Sequence, residues 1–290
     1  MASRIRLFFL QVLIFCSLAN PSWAQVDLGI ILGISNYQGE LTSHSTENGF
    51  RALIDPVFGI HTGYQINHQF QLRGDLIYTK LSGDDALNPK ESVRSRNLDF
   101  SSPILQLAVG VDWNVLGFDI REQKAFTPFV TAGAGLFYMN PMTVYEGKKV
   151  ALHPLGTEGQ YLDDYPDQKP YSLFQPSLQI GGGLKLLTGK FILSVESVMS
   201  YTFTDYIDDV STVYITHSEL YEKAGPLTAA LANRQGEYLN SEPVVVPTGT
   251  QRGNQNTNDI FGMITVRVGI PVNSGDDARG GSKTIKCPKF

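Results

Sequence analysis

Only two cysteines, Cys16 and Cys287, occur in the sequence. Cys16 lies in an N-terminal stretch that reads as removable, so the mature chain keeps one thiol and cannot close an internal disulfide. With cysteine so scarce and the five histidines scattered, no structural zinc cluster can be built. Positive charge is also in deficit: 23 Lys and Arg against 28 Asp and Glu leave a formal net charge of -5. Phosphate backbones attract the opposite sign, which excludes nucleic acid as a partner. A second long apolar run is missing as well. Beyond residue 24 every apolar stretch is broken by Gly, Pro or a polar residue within about a dozen positions, whereas a spanning helix needs roughly 20.

The first residues set the compartment. Arg4 and Arg6 precede an almost wholly apolar run from Leu7 to Leu18, and Ser22-Trp23-Ala24 offers small residues at the two positions a signal peptidase reads. Residues 1–24 therefore read as a secretory signal peptide, cleaved near Ala24 after Sec-type export. Cys16 follows the bulky Phe15 and lies well upstream of Ala24, which does not fit a lipid-attachment box.

The remainder alternates. Val26, Leu28, Ile30, Leu32 and Ile34 are interleaved with Asp27, Gly29, Ile31, Gly33 and Ser35, and the same period of two recurs in seven further segments. These run from Phe58, Phe70, Leu105, Phe126, Phe174, Phe191 and Ile260. Period two puts one face in an apolar setting and the other in a small or polar one. Connections of about 20, 22, 33 and 55 residues alternate with turns of about two to nine, the asymmetry of long external loops and short periplasmic turns. Phe58, Tyr78, Phe126, Tyr138, Phe174, Phe191, Tyr201 and Phe203 fall near segment ends on the apolar face, as interfacial girdles require. The fold expected is all-β: an eight-stranded antiparallel transmembrane β-barrel over residues 25–271 with long extracellular loops, followed by a periplasmic C-terminal tail, 272–290. A soluble sandwich shares the alternation but not the one-sided loops.

A barrel of eight strands has room for its own side chains or one small ligand. The expected lumen carries His61, Arg73, Asp75, Asp112, Lys185, Glu196 and Arg267, which reads either as a proton or ion path or as a salt-bridged plug, the plug being favoured. Gly181 to Gly183, and Gly133 with Gly135, resemble phosphate-binding turns but open no helix, so they fail the structural test for one. Asp205, Tyr206, Asp208 and Asp209 form an acidic motif at the extracellular rim. Its spacing matches no EF-hand, and turn or cap roles are the simpler reading, so no metal is assigned. Pro226 to Arg234 reads as a short helix with Leu227 and Leu231 on one face, packed across the barrel mouth. His61, His153 and His217 with the nearby acids and Ser218 invite comparison with a catalytic set, but no spacing requires one. No catalytic residue and no cofactor is assigned. At the C-terminus, Lys283, Lys286 and Lys289 surround Ile285, Cys287 and Phe290, a basic and apolar patch suited to docking a periplasmic partner.

Several stretches are similar to a known family: SNYQGEL (Ser35 to Leu41), KLSGDD (Lys80 to Asp85), SRNLDF (Ser95 to Phe100), PLGTEGQ (Pro154 to Gln160), KPYSLFQ (Lys169 to Gln175), TFTDYIDDVST (Thr202 to Thr212) and the terminal KCPKF. In this order they resemble the PorG-like family of outer-membrane barrels associated with type IX secretion, a family often described only as a domain of unknown function. The resemblance implies a non-enzymatic component of the Gram-negative outer membrane, in contact with lipid and with proteins of the periplasmic secretion ring. The alternatives are a lipid-modifying or proteolytic outer-membrane barrel enzyme and a small passive porin-like barrel. Loss of activity on changing one polar residue at the mouth would reveal the enzyme, and strand number disfavours the pore.

Overall fold

In an extended chain successive side chains point to opposite sides, so the alternation fixes which residues can share a face. The computed structural model describes residues 25–41, 53–119, 126–188 and 190–272; the expected signal peptide, the tail beyond 272 and both cysteines lie outside the described residues. Its strands are β1 (Gln25–Gln38), β2 (Asp55–Gln65), β3 (Phe70–Asp84), β4 (Asp99–Asn114), β5 (Phe126–Met139), β6 (Met142–Tyr145), β7 (Lys148–Ala151), β8 (Phe174–Thr188), β9 (Phe191–Thr202) and β10 (Ile260–Pro271). Omitting the small β6–β7 hairpin, each strand pairs antiparallel with the next, and β1 pairs with β10 from Asp27↔Pro271 to Gln38↔Ile260. The result is a closed eight-stranded antiparallel β-barrel, as the alternation predicts. Closure leaves none of the eight with an unpaired edge.

The strand ends joined by short connections, Gln65 and Phe70, Asn114 and Phe126, Thr188 and Phe191, lie at one end of the barrel together with Gln25 and Pro271, and the strand ends joined by long connections lie at the other. In the turn between β2 and β3, Asn67 Oδ1 accepts from the Gln69 and Phe70 N–H groups at 2.8 Å each. Among the described residues no helix is long and apolar enough to cross a membrane.

Outward-facing residues are exposed and apolar on every strand, among them Ile30, Ile60, Leu76, Leu107, Val109, Ile180, Val195 and Ile264. A continuous apolar belt of this kind is unstable against water and matches a hydrocarbon layer. Along its upper border Phe58 pairs with Tyr78, Tyr78 with Leu105, Leu105 with Tyr138 and Tyr138 with Phe174, a nearly unbroken aromatic row. Phe70 opposite Trp113 and Thr188 opposite Phe191 mark the lower border.

Strands β3 and β4 continue above this belt, pairing as far as Asp84↔Asp99, so the loop expected from Thr79 to Leu105 shrinks to 85–98. The reason is that the outward positions there, Lys80 and Ser82, are polar while the inward positions, Leu81 and Phe100, stay buried. The apolar alternation ends where lipid ends, and the hydrogen-bonded ladder does not. The β6–β7 hairpin, unanticipated by the alternation, joins this extension through Ser101↔Met142.

The lumen is filled in two layers. Toward the long loops, Ile31, Val57, Ile77, Ile104, Phe137, Val198, Phe261 and Met263 form an apolar core that continues into loop residues Leu41, Leu98, Ile207 and Val210. Phe137 and Phe261 meet edge to face at 5.8 Å. Toward the short turns the filling is charged. Between the layers the wall approaches closely: a Cβ on Gly183 would sit 2.1 Å from the Val195 carbonyl and 2.8 Å from Glu196 Cα, so glycine serves strand curvature and not phosphate binding.

Among the described residues the cap carries four short α-helices, α1 (Glu91–Arg94), α2 (His217–Lys223), α3 (Pro226–Ala232) and α4 (Gln235–Leu239). The expected Pro226–Arg234 helix ends two residues early. Its expected apolar face also needs correcting, because Leu231 is buried and Leu227 is 37% exposed. The buried face is centred on Thr228, Ala229 and Ala232, small residues that let α3 pack closely on Ile215 and Leu220.

Candidate functional site

All seven residues expected in the lumen lie together in its lower layer. Arg73 donates to both oxygens of Glu196, at 2.8 and 3.0 Å, and its Nε donates to Asp75 at 2.8 Å. Arg267 lies 3.4 Å from both Asp112 and Glu196, and Lys185 contacts Asp112 at 3.4 Å and Gln71 at 2.5 Å. His61 Nδ1 is 2.6 Å from Asp75, and its Nε2 is 3.3 Å from Asp27. Asp27 was missing from the expected charge set, although its parity with Gly29 and Ile31 already placed it inside. Four carboxylates thus face three permanent cations and one imidazole, near neutrality, as buried charges require. A cavity of about 10 Å³ at this end is bordered by Asp27, His61, Gln71, Lys185 and Arg267, room for about one water.

The acidic motif of the long loops is located differently from expectation. Asp205, Asp208 and Asp209 are buried and Tyr206 is half-buried, so the motif is not an exposed rim, although Asp208 Oδ1 does accept from the Val210 N–H at 2.9 Å in the turn role expected of it. They lie inside a cap closed by the other loops. Thr157 and Tyr171 each donate to Asp209 at 2.6 Å. Tyr171 also stacks on Tyr206, with centroids 4.4 Å apart. The Glu158 carboxylate accepts from the Ser211 and Thr212 N–H groups at 2.9 and 3.0 Å and pairs with buried Arg252 at 2.9 Å. Arg96 pairs with Asp85 at 2.7 Å.

Three carboxylates converge at the centre of this cap. Glu40, Asp205 and Asp259 bring one oxygen each to within 4.8 Å of one another. Glu40 Oε2 and both oxygens of Asp205 are buried and meet no donor in hydrogen-bonding geometry. Tyr37, at the top of β1, places its hydroxyl 2.6 Å from Asp259 and 2.8 Å from Asp208. Burial, followed by the charge of Glu40, pushes the Asp205 carboxyl up to about 9. Burial and Glu40 likewise raise Asp208 to about 8. Burial raises Asp209 to about 6 despite Arg252, and Asp259 is driven well above the usual carboxylate range by burial and Asp208. Neither Glu40, Glu158, Arg252 nor Asp259 was singled out from sequence. Each is an isolated charge between loop residues, with no spacing to distinguish it from a solvated one.

The histidines do not converge. His61 belongs to the lumen, His153 Nε2 lies 2.8 Å from the Tyr171 carbonyl oxygen, and His217 opens α2 against Tyr221 with exposed Ser218 beside it. The docking residues Lys283, Lys286, Cys287, Lys289 and Phe290 lie outside the described residues.

A closed barrel with an apolar outer belt, a filled lumen and a folded cap on one end defines the class. Within it, the chain belongs to the family described as domain of unknown function DUF6089, whose model matches residues 6–220. No curated protein matches the sequence. Among solved structures the chain is similar to Neisserial surface protein A, at 12% identity and a TM-score of 0.39, over 85% of this chain and 97% of that one. It is also similar to Ail of Yersinia pestis in complex with a heparin analogue, at 10% identity and 0.36, over 86% and 97%. The outer membrane enzyme PagL follows at 13% and 0.32, over 85% and 99%. These likenesses concern the fold alone, which the strand pairing establishes independently.

Proposed function

We propose that this chain is a non-enzymatic barrel of the outer membrane that serves as a structural component of the type IX protein secretion machinery and contacts its periplasmic ring. The observation that carries a structural role is the filling of the lumen, by the Arg73–Glu196 network below and the Phe137–Phe261 core above, which leaves no path for a solute. The apolar belt favours residence in a membrane, and the short-turn end, where both barrel ends emerge, would face the periplasm.

Support for the secretion assignment comes from the resembling stretches. Six of them meet in the cap: Tyr37 and Glu40, Asp85, Arg96, Thr157 and Glu158, Tyr171, and Asp205 to Thr212 are joined by the contacts described above. They are parts of one feature and not independent matches. The seventh, in the tail, carries Lys283, Lys286, Cys287, Lys289 and Phe290 as the ring-contacting element of this reading. Deletion of the gene, followed by comparison of secreted proteins with those of the parent strain, tests it. Retention of secreted cargo in the periplasm is the expected result. An unchanged secretome with general envelope defects would remove the secretion role and leave a barrel of another kind.

A further inference from the structure

Buried carboxylates without counter-charges are unstable unless they take up protons or bind a cation. In the cap the available guanidinium groups are committed elsewhere: Arg96 to Asp85 and Arg252 to Glu158. Among the described residues no Lys or Arg forms an ion pair with Glu40, Asp205, Asp208 or Asp259. The Tyr37 hydroxyl has a single hydrogen to share between Asp208 and Asp259, so it neutralises neither fully. Asp205 is 95% buried with both oxygens unpartnered, and the free oxygen of Glu40 is in the same position.

The geometry points to a divalent-cation site, formed by the carboxylates of Glu40, Asp205 and Asp259 at the mouth of the barrel, with calcium as the ion it fits. The donors are all hard oxygens, the ligands calcium takes. Their mutual separation, within 4.8 Å, is that of oxygens each lying about 2.4 Å from a shared ion. Two of the three, Glu40 and Asp259, are held by independent supports. The Asn254 N–H donates to Glu40 Oε1 at 2.9 Å, leaving Oε2 free. The Ile207 N–H donates to Asp259 Oδ2 at 2.9 Å. Thr202, at the end of β9, donates its hydroxyl to the Asp259 carbonyl at 2.7 Å, fixing the start of β10 beside Asp205. Calcium is favoured over magnesium because the ligands come from two separate loops and from points 54 residues apart within one of them, Asp205 and Asp259, and calcium accepts such irregular oxygen shells where magnesium demands a near-ideal octahedron. The site lies on the long-loop side, away from the lumen network, and does not depend on the secretion reading.

The test is calorimetric titration of CaCl2, and separately MgCl2, into the mature chain folded in detergent and stripped with chelator. One calcium per chain is expected, bound more tightly than magnesium. Asp205→Asn and Glu40→Gln should each weaken binding at least about tenfold while still migrating as a heat-modifiable barrel, and Asp164→Asn, an exposed acid on another loop, should change nothing. If Asp205→Asn does not fold, Glu40→Gln, at a half-buried position, decides alone. No binding by the parent chain, binding unchanged in the folded variants, an equal loss in Asp164→Asn, or a preference for magnesium would each overturn the assignment.

Discussion

Arg73 on β3 and Glu196 on β9 meet across the lumen in a two-pronged pair, at 2.8 and 3.0 Å, although their strands are not neighbours in the wall. The pair is a strut. Removing one partner leaves the other buried and uncompensated, which costs about 3–5 kcal/mol. Arg73→Met should therefore lower the temperature at which the folded band converts to the unfolded one on electrophoresis. Arg73→Met with Glu196→Leu should recover much of the loss, since an apolar pair leaves no stranded charge. A double variant no more stable than the single one would show that Asp75 and Asp112 dominate the network.

The outer belt gives a positional prediction. Leu107→Arg places a cation on the lipid side of β4, where Leu107 is 59% exposed, and should destabilise the barrel by about 2–4 kcal/mol. Val245 is more exposed still, at 80%, but lies in the loop between β9 and β10. Val245→Arg should be nearly neutral by the same heat-modification assay in detergent and in lipid vesicles. Equal effects would mean that the belt does not face hydrocarbon. Gln106, the inward neighbour of Leu107, is no mild control, because it is fully buried and bonded to Ser177 at 3.0 Å.

Asp209 provides a pH dependence with a defined sign. Its carboxyl moves from 3.8 to about 6, through burial first and Glu158 in addition, opposed by Arg252, Thr157 and Tyr171. Between about pH 4 and 6 the folded cap keeps a proton that the unfolded chain has released. The stability that Asp209 contributes is therefore fully present below pH 4 and is lost as pH rises through 6, by at most about 3 kcal/mol. Asp205 and Asp208, raised further, extend the decline above pH 6. Asp209→Asn, tolerated at a left-handed φ of 64°, should flatten the profile below pH 6 and leave the upper part intact. Chelator-treated samples incubated at graded pH and temperature give the measurement; an unaltered lower limb would assign the slope to another group.

For the tail, a chain ending after residue 273 should fold normally but lose recovery of periplasmic ring proteins with it. Cys287 offers a second readout: a membrane-impermeant thiol reagent should label it only after the outer membrane is permeabilised. Labelling in intact cells would invert the topology, and unchanged secretion and recovery on truncation would remove the docking role.

The strands and their facing were legible because hydrocarbon imposes a uniform demand on outward residues: Leu28, Ile30 and Leu32 can be read against Asp27 and Gly29 without knowing their partners. The apolar upper lumen was not. Leu76-Ile77-Tyr78 and Leu136-Phe137-Tyr138-Met139 are continuous apolar runs, and parity, which puts Ile77, Phe137 and Met139 inward, does not reveal that they join residues of other strands in an apolar core. The charged lower lumen could be listed from parity, but its pairing could not, since Arg73 and Glu196 are joined only by closure. The acidic loop motif was visible as a cluster. Its burial was not, because that depends on Glu158, Arg252 and Tyr171 arriving from distant loops, whereas aspartates in loops ordinarily signal solvent.

The last feature to consider is the seam. Tyr37 and Glu40 lie at the upper end of β1, and Asp259 directly precedes β10, the two strands whose pairing joins the ends of the barrel. Neither the Tyr37–Asp259 bond nor the three-carboxylate cluster exists until that pairing has formed. These contacts at the seam are thus completed only on a closed cylinder, and an open sheet with one free edge lacks them.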